Sequence, residues 1–251
     1  MVKFISIISH SDPHFKALCD NFLHTLKAVG LEAQHELLRF DDEAGVFNSP
    51  QFNKMVFKKL ALTHKFLKEG HIVWVSDIDI VYFKNPKAHL LSLLEDNLLV
   101  GQTEPDGRIN TGFYMVRPHE LTISLFDPNI KVKLPGHDHL DDGLYYPSYG
   151  EDKRAATPER VKPFLKEGDG HPDLTDQGYL NHKLLRNEYS LLREKTSPWT
   201  IHRLSSEDFP VGLKWYEEHL TIKDPYLIHY NWIPNSPEKI QRMKEYNHWY
   251  I

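Results

Sequence analysis

Cysteine is nearly missing. Cys19 is the one example in 251 residues, so an internal disulfide framework is excluded and a zinc site built on paired thiolates has no basis. Long apolar runs are missing too: stretches such as Ile72 to Val75 and Leu90 to Leu94 fall far short of the roughly 18–20 residues that a membrane-spanning helix needs. Positive charge is not in excess. Thirty Lys and Arg stand against 35 Asp and Glu, a formal net charge of -5, so no basic stripe is available for a phosphate backbone and nucleic acid is not an expected partner. Met1 to Ser9 hold too few apolar residues for a secretory leader, and no Asn-X-Ser/Thr acceptor occurs. With the lone cysteine, these absences predict a cytoplasmic protein without a membrane span. Signatures of the Walker A, G-x-S-x-G and G-x-G-x-x-G types are also lacking. What is present, 40% hydrophobic and 26% charged residues, is ordinary globular composition. The 16 His, 12 Tyr and 5 Trp suit sugar stacking and metal ligation as well as packing.

The chain opens as alternating strand and helix. Lys3 to Ser9 is a short, β-branched apolar run, read as a buried strand. Phe15, Leu18, Phe22, Leu26 and Val29 recur at helical spacing behind Pro13, with Gly30 as the stop. Glu32 to Leu38 is expected to be a strand, residues 51–69 a helix ended by Gly70, and His71 to Ser76 a strand buried on both faces. Leu98 to Gln102 and Thr111 to Arg117 follow as strands. Residues 134–173, rich in Gly, Pro, Asp and His, are expected to be a long functional loop region. Asp176 to Arg186 is expected to be helical, Trp199 to Leu204 and Tyr226 to Trp232 extended, and Pro237 to Tyr246 a final helix. No repeat or linker interrupts the chain, which predicts a single α/β domain.

Asp77-Ile78-Asp79 sits where the third strand ends. In extended backbone, residues i and i+2 share a face, so the two carboxylates converge while Ile78 and Ile80 face the other way. Converging carboxylates repel unless a cation lies between them. A hard divalent ion, Mg, Mn or Ca, answers that need and commonly bridges protein to phosphate; in open α/β sheets ligands bind at strand carboxyl ends. A water-capped polar strand end over an Ile78/Ile80 core fits the same spacing. His229, in Leu227 to Trp232, is a candidate third ligand whose nitrogen would shift the choice toward Mn, and it also fits a packed strand-end histidine.

Taken in order, Leu67 to Pro86, Asn110-Thr111-Gly112-Phe113, Asp176-Gln177 with Asn181, Phe209-Pro210-Val211-Gly212 and His229-Tyr230-Asn231 resemble the motifs of GT-A nucleotide-diphospho-sugar transferases. The likeness is greatest to the group related to plant cell-wall arabinosyl- and xylosyltransferases, and more distant to retaining galactosyltransferases similar to glycogenin. The resemblance implies a GT-A fold, Rossmann-like with a mixed central sheet and flanking helices. Residues 1–117 would form the nucleotide-sugar half and 118–251 the acceptor half. It implies further that Asp77, Asp79 and His229 bind Mn2+ (or Mg2+) with the diphosphate of a UDP-sugar, and that Ser76, Asp77, Asn110 and Gly112 line the donor site. Lys58 or Lys59 would stand near the donor, with Lys59 preferred. Asp176 and Gln177 would face the anomeric carbon, although Asp176 also suits a helix N-cap.

The expected reaction is transfer of a sugar from nucleotide diphosphate to a hydroxyl acceptor, a glycan, with retention of configuration. Tyr145, Tyr146 and Tyr149, beside acidic residues in the long loop, are the candidate acceptor contacts. Two other enzyme readings are a metallohydrolase, because His137-Asp138-His139-Leu140-Asp141-Asp142 is one residue from H-x-H-x-D-H, and a phosphatase with Asp77 as nucleophile. A non-catalytic sugar-binding module is the alternative from another class.

Overall fold

The computed structural model describes residues 1–9, 13–40, 50–105, 107–128, 175–181, 184, 201–233 and 235–251. The alternating opening is present. Strand β1 (Val2–Ser9) leads to helix α1 (Pro13–Ala28), strand β2 (His35–Phe40), helix α2 (Pro50–Lys68) and strand β3 (Ile72–Ser76). Both helices end at the expected glycines, where Leu31 N reaches back to Leu26 O (2.8 Å) and His71 N to Phe66 O (3.0 Å). Strand β4 (Ile80–Tyr82), helix α3 (Lys87–Asp96), strand β5 (Leu99–Thr103), strand β6 (Ile109–Val116) and helix α4 (Glu120–Phe126) follow. After a short helical segment at 176–181 come strand β7 (Ile201–Arg203), helix α5 (Gly212–Glu218), strand β8 (Leu227–His229) and helix α6 (Ser236–Glu245).

Six strands form one mixed sheet in the order β2-β1-β3-β6-β5-β7, and β4 with β8 forms a second, two-stranded sheet. β1 lies parallel between β2 and β3, β6 runs antiparallel between β3 and β5, and β7 lies parallel to β5. The apolar runs are continuous because the large sheet is covered on both faces. Phe4, Ile8, Trp74, Phe113 and Met115 face α1, α3 and α6, whereas Ile5, Ile7, Val73, Val75 and Tyr114 face α2 and α4. Phe4 stacks on Trp74 with ring centroids 3.9 Å apart. On α1, Leu18, Phe22 and Leu26 are buried, each contributing roughly 1.5–3 kcal/mol by removal from water.

Three expectations are corrected. Glu32–Gln34 is a 3-10 turn, and β2 begins at His35 because its partner decides its limits: the register runs from Phe4 opposite His35 to Ser9 opposite Phe40. The third strand stops at Ser76, so Asp77 to Asp79 lie on a turn and do not share a strand face. Asp77 N donates to Gly112 O at 2.7 Å, after which the chain leaves the large sheet and Ile80 pairs with His229 in the small one. The extended stretch expected to reach Trp232 ends at His229, and Trp232 takes a left-handed φ of 64°.

Candidate active site

The turn from Asp77 to Asp79 joins the two sheets, and each aspartate answers to a different one. Asp77 Oδ1 lies 3.0 Å from Lys59 Nζ on α2. Asp79 Oδ1 lies 3.2 Å from His229 Nε2 on β8, and Oδ2 lies 2.6 Å from Lys239 Nζ on α6. Tyr230 N also donates to Asp79 O at 2.8 Å, fixing the turn to the end of β8. One ligand atom each from Asp77, Asp79 and His229 falls within 4.8 Å of the others. The carboxylates therefore do converge, through a turn that brings two sheets together.

The charges in this cluster are strongly shifted. Burial alone would raise the Asp79 pKa, but Lys239 and then His229 outweigh it and hold the carboxyl well below the usual range. Burial would lower Lys59, yet the carboxylates of Asp176 and Asp77 outweigh it and keep the ammonium charged. Asp176 is pushed up to about 6, first by burial, against the pull of Lys59 and with a further push from Asp77. Its Oδ2 is 3.2 Å from Lys59 Nζ but lacks a well-aligned donor, so the contact is an ion pair rather than a good hydrogen bond.

His229 is oriented from behind. Gln102 donates its amide hydrogens to Phe209 O (3.0 Å) and Pro210 O (3.1 Å), which turns its Oε1 toward His229 Nδ1 at 2.8 Å. An amide oxygen only accepts, so Nδ1 carries a proton; in the imidazolium Nε2 donates to Asp79 Oδ1, whereas in the neutral ring the Nε2 lone pair faces it. Two acceptors at 3.2 Å need a proton or a cation between them. A divalent ion on two carboxylate oxygens and one imidazole nitrogen meets that need, and the donor set suits Mn or Mg.

Gly112 on β6 leaves the space for this. A Cβ there would collide with His229 Cε1 and come within 2.7 Å of Asp77 Oδ2. Gly112 N donates to Asn110 Oδ1 at 2.6 Å, and Asn110 Nδ2 in turn donates to Glu104. Glu104 also accepts from Asn231 Nδ2 (3.1 Å) and Trp232 Nε1 (2.8 Å), and at the long limit of 3.5 Å from Gln177 Nε2. Gln177 Oε1 accepts from Thr111 N at 3.3 Å.

The candidate residues named from sequence fall in three places. Asp77, Asp79, His229, Gly112, Asn110, Gln177, Asp176 and Lys59 surround one cluster. Lys58 lies 3.9 Å from the Phe40 ring centroid, so of the two lysines Lys59 is the one at the aspartates. Ser76 is fully buried, accepting from Tyr82 Oη at 2.9 Å and turned toward Asp77 O; it stands behind the cluster. The helical segment starts at Asp176 with Thr175 before it. Tyr145, Tyr146, Tyr149 and the His137 to Asp142 motif lie outside the described residues. Missed by sequence reading were Lys239, Gln102 and Glu104. A polar residue in the apolar β5, and an acid at that strand's carboxyl end, were the available signals for the last two.

Residues 17–131 match the family model of the nucleotide-diphospho-sugar transferases. Over that segment the chain is similar to nucleotide-diphospho-sugar transferase domains. The apo structure of mouse xyloside xylosyltransferase 1 superposes with a TM-score of 0.50 at 10% identity, over 94% of this chain and 99% of that one, and the fold is GT-A. An uncharacterized protein of Arabidopsis thaliana is 35% identical over 135 residues, 53% of this chain and 38% of its own length. A UDP-galactose:fucoside alpha-3-galactosyltransferase of Dictyostelium discoideum is 24% identical over 224 residues, 84% of this chain and 30% of its own length. The chain thus spans 38% of the first relative's length and 30% of the second's. Among the described residues, no helix is long and apolar enough to cross a membrane.

Proposed function

We propose that the protein is a metal-dependent glycosyltransferase that moves a sugar from a UDP-sugar to a hydroxyl of a glycan, with retention of configuration. The observation that carries this reading is the cluster of Asp77, Asp79 and His229, in which His229 Nε2 faces Asp79 Oδ1 at 3.2 Å. A divalent ion held by these three side chains would supply Lewis-acid stabilisation of the leaving diphosphate. Lys239, half-buried beside Asp79, adds a second positive charge on the same side.

The reaction needs little else from the protein. The bond from the anomeric carbon to the diphosphate oxygen breaks, the acceptor oxygen bonds to that carbon, and the acceptor's proton passes to the departing phosphate oxygen. Gln177 is held at both ends of its amide by Thr111 N and Glu104, which supports a role for its dipole in steadying positive charge at the anomeric carbon. Asp176 is 3% exposed and ion-paired with Lys59, which favours a supporting role for it and same-face attack assisted by the phosphate. Ser76 supports Asp77 from behind, and Asn110 and Gly112 shape the floor under the donor.

The test is UDP release from UDP-galactose, UDP-xylose and UDP-arabinose with manganese, followed by proton NMR of the product. At least one donor should be turned over, EDTA should stop it, and an α-linked donor should give an α-linked product. Gln177→Ala should lower kcat about ten-fold, on the order of 1.4 kcal/mol, with little change in donor affinity. A β-linked product contradicts retention; turnover undiminished by EDTA contradicts the metal.

A further inference from the structure

Trp232 is the large aromatic that this site leaves in solvent. It is 56% exposed, although an indole is among the costliest side chains to leave in water. Its backbone adopts φ 64°, a region that bulky non-glycine residues rarely enter without a compensating contact. The compensating contact is visible. Nε1, the only polar atom of the ring, donates at 2.8 Å to Oε2 of Glu104, a carboxylate that is itself 4% exposed. Glu104 accepts from Asn231 and Asn110 through its other oxygen, and Asn110 holds Gly112 N at the metal-ligand cluster. Two side chains, Glu104 and Asn110, therefore connect the indole to the floor of the site. The indole's edge is pinned, and the residue remains 56% exposed.

We infer that Trp232, pinned by Glu104, is a stacking platform for a sugar ring. The proposal deepens the glycosyltransferase reading and rests on it only for calling that sugar the acceptor. A pyranose or furanose presents one face of C–H bonds and a rim of hydroxyls. The indole face covers the C–H bonds, and the side-chain amides of Asn231 and Gln177, which meet at the same Glu104, stand at the rim to hydrogen-bond hydroxyls. Because Nε1 is already bonded, the ring gives up little further freedom on binding, and the cost of ordering it is met in the folded state. The order of elements agrees: Trp232 follows His229 by three residues, so whatever lies on the indole lies beside the metal ligands.

Saturation-transfer NMR tests the platform with methyl glycosides of galactose, xylose, arabinose and fucose as probes. Spectra are taken with UDP and manganese and again without them. Aromatic irradiation of the wild-type protein should transfer to C–H protons on one face of at least one glycoside. Trp232→Ala should remove that transfer and raise the acceptor KM about ten-fold, a larger effect than on UDP affinity. Trp232→Phe keeps a ring but loses the bond to Glu104 and should fall between the two. Tyr250→Ala, which removes an exposed aromatic stacked on His24 far along the chain, should match wild type. Transfer undiminished in Trp232→Ala, no transfer from any glycoside to the wild-type protein, or competition between UDP and the glycoside for the ring each overturns the platform. Failure of UDP to bind would instead sink the donor reading, which the spectra taken without nucleotide keep separate.

Discussion

The two lysines that face the D-x-D turn differ in kind. Lys59 is 4% exposed, sits on α2 under the large sheet, and lies between Asp77 and the buried Asp176. Lys239 is 20% exposed, sits on α6, and among the described residues is ion-paired with Asp79. The first is a permanent part of the fold, since withdrawing it would strand two carboxylates. The second can swing into water at small cost. The turn thus has one fixed counter-charge and one more exposed one, and an entering divalent ion would compete with Lys239 rather than with Lys59.

Replacing the inner lysine should have the largest effect. Lys59→Met leaves Asp176 buried without its cation, and breaking a buried pair from one side costs about 3–5 kcal/mol. Urea unfolding should register that loss, and a variant as stable as wild type would make the two lysines equivalent after all. Next comes the space between them. Gly112→Ala places a methyl against His229 and Asp77, and overpacking of this sort costs about 1–3 kcal/mol. Displacing the ligands should weaken manganese binding more than it lowers the melting temperature, so the two are measured side by side.

The outer lysine should give a small effect of opposite sign on metal affinity. Lys239→Met removes a half-exposed competitor whose pairing is worth about 0.2–1 kcal/mol. Manganese alone should bind about two- to five-fold more tightly, while UDP affinity falls because a positive charge has gone. Weaker manganese binding in the variant would make Lys239 an organiser of Asp79 rather than its competitor.

A pH effect belongs to the region behind the sheet. Burial lowers His35 from 6.5 to about 4 and His248 likewise; His35 lies edge-on to Phe4 and Phe22, its Nε2 without a hydrogen-bond partner. Both are neutral in the folded chain and take up protons on unfolding. Their contribution is full above pH 6.5 and is lost as pH falls toward 4, because the unfolded state then binds more protons. Melting temperatures between pH 7 and 4.5 should fall less steeply in His35→Phe than in wild type.

How much of this was legible in the sequence depends on the range of the contact. The β1-α1-β2-α2-β3 opening was readable because periodicity and glycine stops are local, and the D-x-D, N-T-G and H-x-N motifs announced themselves by residue type. What sequence could not supply was pairing across distance. Gln102 meets His229 across 127 positions and Lys239 meets Asp79 across 160, and no local pattern marks either. The turn at Asp77 to Asp79 was misread for the same reason: Ile78 and Ile80 alternate as a strand would, and only the separate pairing of β4 with β8 ends β3 at Ser76. Phe209-Pro210-Val211-Gly212 was recognisable as a motif, but its work became visible only with Gln102 donating to its carbonyls.

The central claim is that Asp77, Asp79 and His229 hold a divalent ion through which the nucleotide binds. Calorimetric titration of UDP into the wild-type protein, with manganese and then with EDTA, tests it most directly. Binding that requires manganese and vanishes in Asp79→Asn, with the variant still folded by circular dichroism, is the result the account predicts. Equal UDP affinity in manganese and in EDTA would contradict it.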